Sequence, residues 1–266
     1  MKPTLEFITE LATEAGKIVQ SFVGEALNVQ HKSRTDLVTK ADFASEKYLL
    51  NAIQQAFPTH MINAEESGEW KGERDHQWYL DPLDGTLNYW HGLPIYCVSI
   101  GYAYQGEMTL GVVYDPTREE YFTAEKGKGA FLNGRPMQVS SFEALIDCML
   151  VTGLPHDKWG TPEDNIDNFI RFSELSQAVR RLGSAALDMV YVAAGRLDGF
   201  WEPSIFDWDI AAGSLIVSEA GGVVTNVFGS PAFMKEPISV VCANPVIHAK
   251  MLEVLAEVRS EQEKNL

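Results

Sequence analysis

The side chains in this sequence that could do chemistry fall in four short blocks, and the densest is Asp81-Pro82-Leu83-Asp84-Gly85-Thr86. The preceding Trp78-Tyr79-Leu80 reads as a β-strand ending at Asp81. Pro82 then fixes a turn that sends both carboxylates out of one strand-to-helix corner. Two carboxylates that close raise each other's pKa unless a cation sits between them. The Leu83 carbonyl offers a third oxygen, and hard oxygen donors without a nearby His or Cys favour Mg²⁺ or a similar ion over zinc. Gly85 and Thr86 open a short helix, whose unpaired N–H groups would bind a phosphate. Metal ligands beside an anion cradle are what phosphate-ester hydrolysis needs. An isolated Asp-x-x-Asp, however, reads more simply as a capped helix.

Three further blocks shift that balance. Ile62-Asn63-Ala64-Glu65-Glu66-Ser67-Gly68 puts two carboxylates at the end of a short strand. Asp36-Leu37-Val38-Thr39-Lys40-Ala41-Asp42 puts an Asp at the start of a helix, where capping or dipole compensation is the ordinary reading. Trp208-Asp209-Ile210-Ala211-Ala212-Gly213 places Asp209 at the start of a nearly all-apolar helix. Four coincidental caps are a poorer account than one shared site. None of the six His residues lies in a block that suggests a base, and no Ser or Cys nucleophile is needed.

The elements that must position these residues are legible in outline. Leu5, Ile8, Ala12, Ala15, Val19 and Phe22 form one apolar helical stripe. A second helix runs from about Lys40 to Phe57, before Pro58. Residues 75–140 are rich in β-branched and aromatic residues separated by turns, including Asn133-Gly134, and predict a largely antiparallel sheet. After Asp147 the expected order is strand, helix, helix, strand, helix, strand, strand, helix. Asp207 to Ala220 should be helical and end at Gly221-Gly222, and Asn244 with Pro245 should start the last helix. The change of texture near residue 140 predicts two subdomains, 1–143 and 144–266, forming one catalytic unit.

Composition narrows the function classes. The chain has 266 residues, 45% of them hydrophobic, which suits a folded globular protein. A net charge of −16 with no basic stripe argues against a nucleic-acid partner. Cys97, Cys148 and Cys242 are widely spaced and read as free buried thiols in a reducing compartment. With no secretory leader and no membrane-length apolar run evident, the expected location is the cytoplasm.

Taken together, Asp81-Pro82-Leu83-Asp84-Gly85-Thr86 and Trp208-Asp209-x-Ala211-Ala212-Gly213, followed by Glu219-Ala220-Gly221-Gly222, resemble the two signatures of the inositol monophosphatase family. Glu65-Glu66-Ser67 and Arg181-Leu182-Gly183-Ser184-Ala185-Ala186 resemble its intervening blocks, in the right order. The resemblance implies an α/β fold, a layered α/β/α/β/α sandwich with a largely antiparallel N-terminal sheet and a smaller mixed α/β subdomain. It also implies a Mg²⁺-dependent, lithium-sensitive phosphomonoesterase with two or three ions per site, and a homodimer. On this chain the implied metal ligands are Glu65, Asp81, the Leu83 carbonyl, Asp84 and Asp209, with Asp81 bridging two ions. Gly85 and Thr86 would hold phosphate, and Thr86 with Asp42 would polarise the attacking water. Asp42, Thr86 and Glu65 form the implied catalytic set.

Substrate choice would then rest on the second half of the chain. Glu202 falls where the family places an acid that binds inositol hydroxyls. The Gly183-Ser184-Ala185 backbone, with Asp209, would line the same pocket. Three positions depart from the commoner pattern: Leu87, Ser184, and the stretch 203–207, which lacks an expected glycine. Lys32 lies near a family lysine but one residue out of step, and is left out of the site. The implied substrate is myo-inositol-1-phosphate. Fructose-1,6-bisphosphate is the first alternative, and 3′-phosphoadenosine 5′-phosphate, histidinol phosphate and NADP follow. A regulatory or protein-interaction role is the alternative of a different class.

Overall fold

The computed structural model describes residues 1–24, 30–31, 37–155, 158–161 and 163–264; Lys32 and Asp36 lie outside them. Helix α1 (Leu5–Ser21) starts where the Thr4 hydroxyl accepts from the Phe7 N–H, and it buries Ile8, Leu11, Ala12, Ala15 and Val19. After the two-residue strands β1 (Gln30–His31) and β2 (Leu37–Val38) comes α2 (Lys40–Ala56), which buries Leu49, Leu50 and Ile53. These two helices cover one face of the larger sheet, against Ile62, Trp78, Leu80, Ile100, Leu110 and Val112.

That sheet contains β3 (His60–Ala64), β4 (Gly68–Trp70), β5 (Glu73–Asp84), β6 (Cys97–Tyr104), β7 (Glu107–Asp115), β8 (Glu120–Glu125), β9 (Ala130–Leu132) and β10 (Arg135–Pro136). A five-residue helix, α3 (Thr86–Trp90), separates β5 from β6. The strand order is β10-β9-β8-β7-β6-β5-β3-β4, antiparallel throughout except for the parallel pair β3–β5. The antiparallel texture expected for 75–140 is present. The parallel pairing of β3 with β5, and β4 at the edge, were not legible because pairing direction and strand order are not written in a short strand's own residues.

The second half alternates β11 (Met149–Thr152), α4 (Ile166–Leu175), β12 (Ala178–Arg180), α5 (Ala185–Ala193), β13 (Gly199–Glu202), α6 (Asp207–Glu219), β14 (Val223–Thr225), β15 (Val240–Ala243) and α7 (Pro245–Lys264). The expected order omitted β12, a three-residue edge strand too short to show a period. Its sheet, β12-β11-β13-β15-β14, mixes parallel and antiparallel pairs.

Strand periodicity builds the remaining layers. On β13 and β15, Phe200, Val240 and Cys242 face inward onto α5, α6 and the larger sheet. Trp201, Val241 and Ala243 face outward onto Phe172 of α4 and Ile247 and Met251 of α7. Alternate residues thus feed different cores, as a pleated strand buried on both faces requires. The result is the five-layer α/β/α/β/α sandwich, with α5 and α6 as its middle layer. Truncating the fully buried Trp201 to Ala would cost about 3–5 kcal/mol.

The middle layer lies close to the larger sheet because Gly101 and Gly111, register partners on β6 and β7, have no side chains. A Cβ at Gly101 would meet Ala211 Cβ at 3.0 Å and Ala212 N at 3.1 Å. One at Gly111 would meet the Ala212 carbonyl oxygen at 2.8 Å. Their absence brings α6, and Asp209 in its first turn, down onto the sheet that carries the other acidic blocks.

Candidate active site

The Asp81–Thr86 corner is not the simple strand end that its residues predict. Strand β5 continues to Asp84 through a bulge, so that Asp81 opposes Ser99 while Asp84 opposes Cys97. Three steps on β5 therefore span two on β6. Pro82 has no N–H to give β6, which is why an extra residue is accommodated there. The bulge is held from behind, where Ser45 Oγ of α2 donates to the Pro82 carbonyl at 2.9 Å. The Leu83 N–H turns back to Asp81 Oδ1 at 3.0 Å. Gly85 then caps α3 in a left-handed conformation, φ 91°.

Asp42 serves two purposes, one on each oxygen. Its Oδ2 accepts from the Thr39 N–H (2.8 Å) and the Thr39 hydroxyl (2.6 Å), closing the N-terminus of α2. Its Oδ1 accepts from Thr86 Oγ1 at 2.8 Å. The capping reading and the site reading of Asp42 therefore both hold geometrically. Burial pushes its carboxyl above the usual range, and the Thr39 and Thr86 donors oppose that. The Leu83 carbonyl is a second acceptor for Thr86, at 3.0 Å.

Asp84 is held by α5. Ser184 Oγ donates to its Oδ2 at 2.6 Å and the Ala186 N–H at 2.7 Å, while the Ala185 amide bonds the same carboxylate. Cys97 Sγ lies 3.8 Å from that oxygen. Desolvation still raises the Asp84 pKa, partly offset by these donors. Ser184 and the amides after it thus engage Asp84, and Gly183 meets Asn88, whose side-chain amide donates to the Leu182 carbonyl (2.8 Å) and the Gly183 carbonyl (3.3 Å).

Asp209 is the third residue of α6, and its Oδ2 accepts from the Phe206 N–H at 3.1 Å, a capping contact like that of Asp42. Glu65 follows β3, its N–H bonded to the Leu80 carbonyl at 3.1 Å. The carboxyls of Glu65, Asp81, Asp84 and Asp209 lie near enough for their charges to act on one another. Desolvation pushes Asp81 well above its ordinary value, and the charges of Glu65, Asp84 and Asp209 add to this. Asp209 is raised by burial and then by Asp84 and Glu65. Among the described residues, no three such side chains are drawn about one point in ready-made coordination geometry. Carboxylates this close either keep a proton between them or take a cation, and the fit to a metal rests on the donor set. That donor set is all oxygen, backed by the Leu83 carbonyl, and it suits Mg²⁺ rather than zinc.

On the far side lies Glu202, its carboxyl against the backbone of Gly153 and pushed up to about 8 by burial and then by Asp84; the Arg181 charge pulls it down. Asp188 of α5, also buried, is raised by desolvation, Asp84 and Glu202. The sequence reading missed Asp188, and it missed Ser45, Asn88, Asn63 and Asp207. It also missed Glu46, whose Oε2 accepts from the Glu66 N–H at 2.8 Å. Ser45 and Glu46 sit one helical turn after Asp42, a spacing that would have flagged them as facing the same corner.

A family model described as the inositol monophosphatase family matches residues 1–263. An inositol-1-monophosphatase of Synechocystis sp. is 44% identical over 255 residues, which span 95% of this chain and 88% of that protein. A protein of Pseudomonas aeruginosa named Nus factor SuhB is 42% identical, spanning 89% of this chain and 90% of its own length. Among solved structures, an inositol monophosphatase from Anabaena (Nostoc) sp. superimposes with a TM-score of 0.85 at 41% identity, covering 95% of both chains.

Proposed function

The chain belongs to the inositol monophosphatase family, and from that premise we propose that it hydrolyses a small-molecule phosphate monoester, myo-inositol-1-phosphate foremost, with Mg²⁺. The observation that carries the reading is the gathering of Glu65, Asp81, Asp84 and Asp209, from three separate stretches of sequence, beside the Thr86–Asp42 pair. Glu65, Asp81, the Leu83 carbonyl, Asp84 and Asp209 would hold two or three Mg²⁺ ions. When bound, such ions neutralise the carboxylates, polarise the phosphate and acidify water.

The chain's own residues then have definite tasks. With the Leu83 carbonyl given to an ion, Thr86 would commit its hydroxyl hydrogen to Asp42 Oδ1. Its oxygen lone pairs are thereby directed outward, where they can accept a hydrogen bond from an attacking water and orient it. Asp42 is buried and has a raised proton affinity, so it can take up the proton passed through the hydroxyl. Gly85 and Thr86 would receive phosphate oxygens on their amides. Glu202 and the backbone near Gly183 would receive substrate hydroxyls, because a carboxyl can accept from an O–H whether or not it carries its own proton.

The test is phosphate release from inositol-1-phosphate, fructose-1,6-bisphosphate, 3′-phosphoadenosine 5′-phosphate, histidinol phosphate and NADP, with and without Mg²⁺ and Li⁺. The expected result is Mg²⁺-dependent, Li⁺-inhibited turnover, fastest on inositol-1-phosphate and lost in Asp84→Asn. Preference for the adenylated substrate would overturn the substrate, and Mg²⁺-dependent release unaffected in Asp84→Asn would overturn the site. The similarity to relatives named Nus factor SuhB favours one second reading, an interaction role that persists in a catalytically dead Asp84→Asn variant. We also infer a homodimer; Leu87, Trp90 and Leu93 leave apolar side chains exposed beside α3, and a monomer mass by light scattering would refute it. Among the described residues no helix is long and apolar enough to cross a membrane.

A further inference from the structure

Strand register aligns Asn63, Tyr79, Gly101 and Gly111 in one row across β3, β5, β6 and β7. Helix α6 lies over the glycine end of this row, in contact through Ala211 and Ala212. At the other end, Asn63 Nδ2 donates to both carboxylate oxygens of Asp207, each at 2.8 Å. Asp207 is the first residue of α6, and its Oδ1 also accepts from the Trp208 N–H at 3.0 Å. The amide nitrogen is the atom facing the carboxylate, since the amide oxygen would be repelled there.

The position of this contact matters. Glu65 lies two residues beyond Asn63, and Asp209 two residues beyond Asp207. The two acids belong to opposite halves of the chain and are carried by different kinds of element, a strand end and a helix start. Packing of α6 on a glycine floor is non-directional and fixes how close the helix lies, but only weakly how far it slides or turns. A hydrogen bond to a charged group is directional and short. Mg²⁺ demands oxygen positions near 2.0–2.1 Å in almost ideal geometry, so slippage of a few tenths of an ångström at Asp209 would be felt.

We propose that the Asn63–Asp207 clasp is a positioning device that sets the separation of Glu65 and Asp209 for a divalent ion. The inference rests on the metal reading given above. Neither clasp residue touches the reacting atoms; each acts through the acid two residues on. Asp207 already accepts three hydrogen bonds, two from Asn63 and one from Trp208, which leaves it at most one acceptor site for an ion.

The test uses the full chain and Mn²⁺ as a paramagnetic probe, following free Mn²⁺ by electron paramagnetic resonance without substrate. Alongside it, kcat, KM and the Mg²⁺ concentration for half-maximal activity are measured. Asn63→Ala and Asp207→Ala are expected to weaken Mn²⁺ binding by about 10–100-fold without changing the number bound. They should raise the Mg²⁺ requirement more than KM. The reversed pair, Asn63→Asp with Asp207→Asn, restores a donor facing a carboxylate and should recover most of the lost affinity. Should either Ala variant fail to fold, the near-isosteric Asp207→Asn, which retains one neutral hydrogen bond, should show an intermediate loss.

Unchanged Mn²⁺ affinity in the folded single variants would overturn the clasp, and so would a loss that the reversed pair does not recover. Loss of one bound Mn²⁺ in Asp207→Ala alone would make Asp207 a ligand and also overturn it. If the unaltered chain binds no Mn²⁺ and releases phosphate without any divalent ion, the metal reading itself fails.

Discussion

Replacing Thr86 by Val removes one hydroxyl at nearly constant shape and tests the proposed handling of the attacking water. In the structure this hydroxyl is the donor to Asp42 Oδ1, 2.8 Å away, while the other oxygen of Asp42 keeps its two Thr39 donors. The variant therefore leaves one oxygen of a fully buried carboxyl without its partner. That costs about 1–3 kcal/mol of stability. For a chain of this size each kcal/mol lowers Tm by roughly 2–4 °C, so the melting point should fall by about 2–12 °C. Activity should fall much further, because loss of a positioned proton-transfer group costs roughly 10²–10⁴-fold in kcat. Thr86→Ser keeps the hydroxyl and should recover most of the rate. Residues acting as one unit are not additive, so Thr86→Val combined with Asp42→Asn should be no slower than the slower single variant. The assay is steady-state phosphate release at saturating Mg²⁺, paired with thermal melts. A folded Thr86→Val variant within tenfold of the original kcat would refute the relay, and so would multiplicative losses in the double variant.

Three other outcomes follow from the structure. Gly101→Val should force α6 away from the sheet, since even a Cβ would lie 3.0 Å from Ala211 Cβ; overpacking of this kind costs about 1–3 kcal/mol, and the Mg²⁺ requirement should rise with the fall in Tm. Removing divalent ions with EDTA should make the protein less stable as pH rises. Glu202 has a folded-state pKa of about 8 against an ordinary 4.5, so the folded state binds more protons in that window, and its contribution is present below pH 4.5 and lost by about pH 8. Asp81, Asp84 and Asp209 are shifted in the same direction, so Mg²⁺ should raise Tm more at pH 8 than at pH 6, a trend that differential scanning calorimetry would contradict by showing the reverse. On the acid side, Trp78 Nε1 donates to His60 Nδ1 at 3.1 Å, which requires a neutral ring, and burial lowers the His60 pKa to about 4. As pH falls from about 6.5 to 4 the unfolded chain binds this proton first, so the His60 contribution to stability is lost across that range, and the difference between the original chain and His60→Gln in denaturant titrations should narrow there.

The legible part of the fold was the part written in local periods. The apolar stripe from Leu5 to Phe22 predicted α1, and the run from Lys40 to Phe57 before Pro58 predicted α2. The nearly all-apolar run after Asp209 predicted α6. The β-branched stretches from 75 to 140 predicted an antiparallel sheet. Strand β12 was not legible, because three residues on an edge carry no period. The continuation of β5 through Pro82 was not legible either, because a proline reads as a stop unless a neighbouring strand accommodates it in a bulge. The contacts of Ser184 and Ala185 with Asp84 were not legible for a similar reason. The family resemblance implied that their backbone lines a pocket, and the packing of α5 against the corner turns the Ser184 hydroxyl and the Ala185 amide onto Asp84.

The acids themselves were visible from the start, since four carboxylate-bearing blocks at element ends pointed to a divalent cation and a phosphate ester. What residue types cannot encode is distance. Asp81 to Thr86 is a local unit, and its chemistry follows from backbone geometry over six residues. Its relation to Asp42, Glu65 and Asp209 depends on contacts made far along the chain. These are the parallel pairing of β3 with β5, the Thr86–Asp42 hydrogen bond, the glycine floor at Gly101 and Gly111, and the reach of Asn63 to Asp207. Local sequence determined which groups were available and on which elements they lay. Tertiary packing decided which of them share an electrostatic environment, because burial and close approach shift a carboxyl's proton affinity only once the chain has folded around it.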